Sequence, residues 1–120
     1  PNLYGSLSAK ENIDFFSKIF TSQKLDTIPD LINAFNVEAY LGKRANQLSD
    51  GIKKKISLII AFLANPRVLI LDEPYSYLDT DSVESLNRII REYNKNGATF
   101  LISDNSSLVD GLNPTGFCEL

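Results

Sequence analysis

Four consecutive apolar residues, Val-Leu-Ile-Leu at 68–71, constrain the fold of this chain more than any other segment. A short uninterrupted run of this kind is typical of a strand buried on both faces of a parallel sheet. The Asn65-Pro66 pair precedes the run and ends a helix that we predict over residues 51–64, with Ser49 as its cap and an almost wholly apolar sequence from Ile56. A helix followed by a buried strand favours an α/β fold.

A second helix and strand follow along the chain. Asp79 or Thr80 can cap a helix whose apolar residues recur at helical spacing, and Gly97 suits the left-handed residue after its end. The apolar run at 99–102 then predicts a second strand. Residues 68–102 therefore predict a βαβ unit, in which the two strands run parallel.

The first third of the chain is predicted to be helical. Ser8 and Glu11 have the spacing of a capping box, which predicts a first helix over residues 9–20. Pro29 suits the first turn of a second short helix that ends near Asn36.

Composition narrows the chemistry. The chain has 120 residues, 12 basic against 15 acidic side chains and no His, so a nucleic-acid surface is not indicated and any reaction must use carboxylates, amides and hydroxyls. The single cysteine, Cys118, cannot form an internal disulfide, and no signal segment opens the chain, which favours a cytosolic setting. Because the sequence begins at Pro1 and contains no Met, we expect a piece of a larger protein.

An acidic pair leaves the first predicted strand. Asp72 and Glu73 stand at its carboxyl end, where open α/β sheets bind ligands. Asp72 is suited to a hydrated magnesium ion beside nucleotide phosphates, and Glu73 to accepting a proton from the water that attacks the terminal phosphate. The alternative is that both are solvated residues at a strand exit.

The start of the helix over residues 51–64 is a second candidate site. Its free N-H groups, the Ser49 hydroxyl and the absence of a side chain at Gly51 suit a phosphate. The alternative is a plain helix cap followed by a solvated turn of lysines at 53–55. These three lysines do not indicate nucleic-acid binding, because lysines on one helical turn point in different directions.

Taken in their order along the chain, these segments resemble the nucleotide-binding domain of ABC transporters. Residues 46–55 are similar to the signature motif, 68–74 to the Walker B motif and 75–79 to the D-loop, while residues 2–12 resemble the segment that follows the Q-loop. The residues of the signature segment and those around the Walker B segment are most similar to ATPases of bacterial exporters.

The resemblance implies a partial P-loop NTPase fold of the α/β class. It places a helical subdomain, ending in the signature helix, over residues 1–66, and a Walker B and D-loop portion of the catalytic core over residues 67–120.

The resemblance also implies the roles of individual residues. Asp72 would be the magnesium-associated Asp and Glu73 the catalytic Glu, while Ser49 and Gly51 would touch the nucleotide of a partner domain in a head-to-tail dimer. Asp79 would be the D-loop Asp that communicates across that dimer. Such a dimer binds ATP with Mg²⁺ and drives a membrane permease from the cytoplasmic face of the membrane.

The chain departs from the family pattern at several points. No Gly-x-x-x-x-Gly-Lys-Ser or Thr phosphate loop occurs in it, so we expect it to be inactive alone. Asp50 and Ile52 replace common signature residues, and Asn105 stands where a switch His is usual. Asn105 can donate a hydrogen bond to phosphate but cannot accept a proton, so hydrolysis would be slow. The alternative is that residues 104–106 only cap the next turn.

Three functional hypotheses remain. The first is the ATP-hydrolysing subunit of an ABC transporter. The second is a degenerate nucleotide-binding domain that serves as a non-catalytic partner or interaction module, and the third is an ABC-type ATPase that acts without a permease.

Tyr75 and Tyr77 would either fill an interface with a partner or pack against the fourth helix, and the incomplete sheet would leave an edge of residues 68–71 exposed.

Overall fold

The structure is a computed structural model that describes residues 2–20, 27–114 and 116, so Pro1 and Cys118 lie outside it. The described residues form four α-helices and two strands, in the order α1 (Ala9–Ile19), α2 (Thr27–Ala34), α3 (Asp50–Leu63), β1 (Val68–Asp72), α4 (Thr80–Lys95) and β2 (Thr99–Ser103). Short 3-10 helices cover Glu38–Tyr40, Ala45–Gln47 and Ser107–Leu112.

The capping box at the start of α1 is confirmed. The Ser8 hydroxyl accepts a hydrogen bond from the Glu11 amide at 3.0 Å, and the Glu11 carboxylate accepts one from the Ser8 amide at 2.7 Å. The helix ends one residue earlier than predicted, because Phe20 has an extended backbone with φ −89° and ψ 107°.

Asn12 fixes the loop that leads into α1. Its side chain is fully buried, accepts from the Tyr4 amide at 2.7 Å, and donates to the carbonyls of Tyr4 at 3.1 Å and Ser8 at 2.9 Å. These bonds satisfy a buried amide that would otherwise be costly.

Helix α3 lies at the centre of the core, and α1 and α2 both pack against it. The buried core continues from α3 into β1 through Leu71, and into α4 through Val83, Leu86, Ile89 and Ile90. Tyr93 of α4 donates its hydroxyl to the carbonyl of Phe62 in α3 at 3.0 Å. One hydrophobic cluster thus extends on both sides of residue 66, and the division into two portions there stays a prediction.

The βαβ unit is confirmed. The strands pair in parallel, with Val68 opposite Thr99 and Asp72 opposite Ser103. Asp79 caps α4 by accepting from the Ser82 amide at 2.8 Å.

The prediction that the first strand is buried on both faces is wrong. Val68 is 57% exposed and Ile70 is 72% exposed, whereas Leu71 lies in the core. Because β1 and β2 are the only strands in the described part of the chain, one sheet face packs on the core and the other remains uncovered. The outer edge of β1 is unpaired within the same residues, as expected.

None of the helices formed by the described residues is long and apolar enough to cross a bilayer.

Candidate functional site

The two acidic residues lie at the carboxyl end of the parallel pair. Asp72 is the last residue of β1 and stands opposite Ser103, the last residue of β2. Glu73 follows with φ +43°, a left-handed conformation that is uncommon for a residue with a side chain. Its amide donates to the Ser103 carbonyl at 2.6 Å, so the backbone is tied to the sheet while both carboxylates remain exposed.

Asn105 meets Glu73 in space. Its Nδ2 donates to Oε1 of Glu73 at 3.2 Å, although the two residues are 32 positions apart, and the Ser76 hydroxyl lies 3.5 Å from Oε2. We call Asp72, Glu73 and Asn105 the strand-tip group. Both oxygens of the Glu73 carboxylate therefore have a donor that can orient them.

The turn around Asn105 is built by its neighbours. Asp104 accepts from the Ser106 amide at 2.8 Å, and the Ser106 hydroxyl accepts from the Leu108 amide at 3.3 Å. Asp104 and Ser106 thus perform the capping that the alternative interpretation assigned to residues 104–106. The side-chain amide of Asn105 donates to Glu73 instead.

A magnesium ion fits this edge only as one shared with a ligand. Among the described residues, no three His, Cys, Asp or Glu side chains converge as a metal site. Magnesium commonly uses one or two protein carboxylates and takes its remaining ligands from phosphates and water. The exposed carboxylate of Asp72 suits that arrangement.

Ser49 caps the start of α3. Its hydroxyl accepts from the Ile52 amide at 3.3 Å, which satisfies one of the free donors of the first turn. Ser49 and Asp50 are both exposed.

The backbone of another part of the same chain lies close against Gly51. A Cβ added at Gly51 would lie 2.9 Å from the carbonyl oxygen of Tyr77, closer than real Cβ contacts. Tyr77 itself has φ +66° and a side chain that is 72% exposed. The close approach that the sequence suggested for a ligand at Gly51 is made here by the loop over residues 73–79, which we call the strand-exit loop.

Asp79 joins that loop to α3. Its Oδ2 accepts from Nζ of Lys55 at 3.0 Å, and the Lys55 side chain is only 8% exposed while that of Asp79 is 61% exposed. Hydrogen bonds from Ser82, followed by the one from Lys55, lower the pKa of Asp79 to about 2. We call Ser49, Gly51 and Asp79 the helix-start group.

Lys55 was missed as a site residue because it was grouped with the solvated lysines. That prediction is wrong for Lys55, which is buried. Helical spacing carried the signal: Ile52 and Ile59 lie three residues before and four residues after Lys55, so all three share the apolar side of α3.

The two tyrosines of the strand-exit loop differ in burial, since the Tyr77 side chain is largely exposed and that of Tyr75 is not. Tyr75 is buried against α4 and donates its hydroxyl to Oδ1 of Asn87 at 2.5 Å, as the packing alternative expected. Burial raises the pKa of Tyr75 to about 12.

Comparisons with known proteins bear on the fold and the family of this chain. The family model described as "AAA domain, putative AbiEii toxin, Type IV TA system" matches residues 3–103. An uncharacterized ABC transporter ATP-binding protein of Alkalihalophilus pseudofirmus is 33% identical over 104 residues, which are 84% of this chain and 39% of that protein.

Two solved structures share the fold. The ATP-binding subunit of an ABC transporter superposes with a TM-score of 0.81 at 28% identity, covering 87% of this chain and 45% of that one. A dimeric ATP-binding cassette in a post-hydrolysis state with ADP and Pi has a TM-score of 0.76 at 18% identity, covering 92% of this chain and 50% of that one. The likeness to this cassette concerns the fold alone.

The parallel strands, the matched family model and the solved relative show part of a P-loop NTPase fold of the α/β class, which confirms the predicted fold class. Within that class the chain belongs to the nucleotide-binding domains of ABC transporters, as the sequence resemblance implied. It spans about two fifths of the curated relative, 39% of its length.

Proposed function

We propose that this chain forms the helical and Walker B part of an ATP-hydrolysing ABC transporter subunit, in which the strand-tip group performs the chemistry. The observation that carries the proposal is the hydrogen bond from Asn105 to Glu73, 3.2 Å long, at the carboxyl end of β1 and β2. This edge is where α/β sheets bind ligands.

Glu73 is the general base of the proposed reaction. Its carboxylate takes a proton from the water that attacks the terminal phosphate, and the Asn105 amide holds Oε1 so that the other oxygen faces the water. Asp72 would hold the magnesium ion that accompanies ATP, and that ion supplies charge neutralisation at the phosphates.

Asn105 limits how fast this site can work. An amide can orient Glu73 or donate to a phosphate oxygen, but it cannot take up a proton as an imidazole can. We therefore expect slow turnover, and none from this chain alone, because its sequence contains no phosphate loop.

The proposed partners are a second nucleotide-binding domain and a transmembrane permease. In a head-to-tail dimer, Ser49 and Gly51 would face the nucleotide of the partner domain and Asp79 would lie at the interface. The dimeric cassette that shares this fold supports such an assembly. The protein would then lie in the cytoplasm at the inner face of the membrane.

A second candidate is a degenerate domain that binds a catalytic partner without hydrolysing ATP. Asp50, Ile52 and Asn105 favour it, because each departs from the residue usual at that position of the family pattern.

The test is nucleotide binding and hydrolysis by the full-length product of the gene that encodes this chain. Glu73→Gln is expected to retain ATP binding and to lose at least about 100-fold in turnover. The control is Glu84→Gln, an exposed acid on α4, which should hydrolyse ATP like the wild type. Wild-type turnover by Glu73→Gln would contradict the proposal, while a wild type that binds ATP without turnover would favour the degenerate domain.

A further inference from the structure

Two separate contacts join α3 to the strand-exit loop. The Lys55 ammonium pairs with Asp79 at 3.0 Å, and the first turn of α3 meets the Tyr77 carbonyl so closely that Gly51 has no room for a Cβ. The contacts lie about one helical turn apart on α3 and two residues apart on the loop. They therefore fix both the distance and the orientation of the loop relative to the helix.

The Lys55 contact is unusual because a lysine charge is buried to make it. The side chain is 8% exposed, whereas Asp79 remains 61% exposed. Removing an ammonium group from water costs free energy, and an apolar side chain of similar length would pack at this position without that cost. A purely structural site would not require the charge.

The loop itself has little freedom between its anchors. The Glu73 amide is bound to Ser103 at 2.6 Å, and the Tyr75 hydroxyl is bound to Asn87 at 2.5 Å. Glu73 and Tyr77 both have positive φ, which persists in residues with side chains only where the surroundings determine the backbone. Few loop conformations are therefore compatible with these contacts, and the end of the loop at Asp79 is fixed together with its start at Glu73.

We propose that Lys55 is a positioning residue, which ties the start of α3 to the strand-exit loop and thereby sets the position of the Glu73 carboxylate. The catalytic part of this inference rests on the proposed function. A phosphate bound at Ser49 would in this way influence the base on the same chain through Lys55 and Asp79.

The test compares Lys55→Met, Lys55→Arg and Lys95→Met in the full-length protein. Met keeps the length of the buried stem without its charge, Arg restores a charged donor, and Lys95 is an exposed lysine at the end of α4. The first readout is hydrogen exchange of the Ser76 and Leu78 amides, which bond to carbonyls within the strand-exit loop. The second is the kcat and KM of ATP hydrolysis.

Lys55→Met is expected to speed exchange at both loop amides about tenfold, with the α1 amides unchanged. It is also expected to lower kcat about tenfold while KM for ATP stays within about twofold. Lys55→Arg should restore both readouts, and Lys95→Met should match the wild type.

Unchanged loop exchange in Lys55→Met would overturn the inference, whatever the ATPase result. Faster exchange with an unchanged kcat, or failure of Lys55→Arg to restore kcat, would overturn the catalytic part. A wild type without turnover would refute the proposed function and, with it, that part, while the exchange readout still decides whether Lys55 holds the loop. If Lys55→Met does not fold, Asp79→Asn breaks the same ion pair and keeps an oxygen to cap α4, and the same increase in exchange is required of it.

Discussion

The strand-tip group and the helix-start group are assembled by different kinds of contact. Asp72, Glu73 and Asn105 are exposed, and one hydrogen bond of 3.2 Å between side chains joins Glu73 to Asn105. In the helix-start group, Gly51 accommodates a backbone carbonyl and Asp79 holds the ammonium of a buried lysine.

This difference separates residues suited to the reaction from contacts that support the fold. The strand-tip side chains point into solvent and can change partners when a ligand arrives, so their substitution should affect reaction more than folding. The helix-start contacts are part of the packing between α3 and the strand-exit loop, so their substitution should alter stability even without nucleotide. Measurements of stability on variants of the two groups test this distinction.

The largest effect is expected from Asp79→Ala. The change removes the cap of α4, worth about 1 kcal/mol, and leaves the buried Lys55 ammonium without its partner, at a cost of about 1–3 kcal/mol. We expect a total loss of about 2–4 kcal/mol in the free energy of unfolding, measured by urea denaturation. Asp81→Ala, an exposed acid in the first turn of α4, is the control and should lose less than about 1 kcal/mol.

The same carboxylate predicts an acid dependence. The folded-state pKa of Asp79 is about 2 against its ordinary value of 3.8, so its contribution is fully present above pH 3.8 and is lost as the pH falls through 2. Denaturation at pH 5 and at pH 2 should therefore show a smaller gap between wild type and Asp79→Ala at the lower pH. An equal gap at both values would contradict the assigned hydrogen bonds.

Gly51→Ala is expected to have the next largest effect. The added methyl group meets the Tyr77 carbonyl at 2.9 Å, and a backbone atom cannot move aside as a flexible side chain can. Overpacking costs of this kind are about 1–3 kcal/mol, which the better helix propensity of Ala offsets by about 1 kcal/mol. Gly42→Ala, where a Cβ would meet nothing within 4 Å, is the matched control. A gain of about 1 kcal/mol in Gly51→Ala, which is the helix propensity of Ala with no opposing cost, would show that the loop does not press on α3.

Local sequence patterns were sufficient for most of the fold. The capping box at Ser8, the Asp79 cap and the turn at Gly97 each depend on neighbours within a few residues, and each is present. Glu73 and Asn105 meet because the carboxyl ends of parallel strands lie at one edge of a sheet, but their hydrogen bond was not predicted.

Contacts that depend on tertiary packing could not be predicted in the same way. The run at 68–71 is apolar at every position, so it has no period that would show which face is covered, and the exposure of Val68 and Ile70 was missed. Lys55 and Asp79 are 24 residues apart, and no local pattern in either segment indicates that they pair.

Tyr77→Gly is expected to stabilise the protein. Tyr77 has φ +66° and a largely exposed side chain, so little packing is lost and glycine adopts this backbone conformation readily. Release of left-handed strain, less the greater chain entropy of glycine, should give a gain of about 0.5–1 kcal/mol. Ser76→Gly, in the same loop but not at a left-handed position, should be destabilising. A loss of stability in Tyr77→Gly would mean that the tyrosine ring supports the loop.

The smallest effect is expected from Asn105→Ala. The hydrogen bond to Glu73 is exposed, and both groups can bond to water when it is absent, so the free energy of unfolding should fall by less than about 0.5 kcal/mol. Ser106→Ala, which removes the hydroxyl that accepts from the Leu108 amide, should cost more, about 1 kcal/mol, because it caps a helical turn. A loss of more than about 1 kcal/mol in Asn105→Ala would place the strand-tip group among the supports of the fold. With the expected small loss, a fall in ATPase activity of the same variant can be attributed to the loss of the Asn105 amide from the site, because the folded state is preserved.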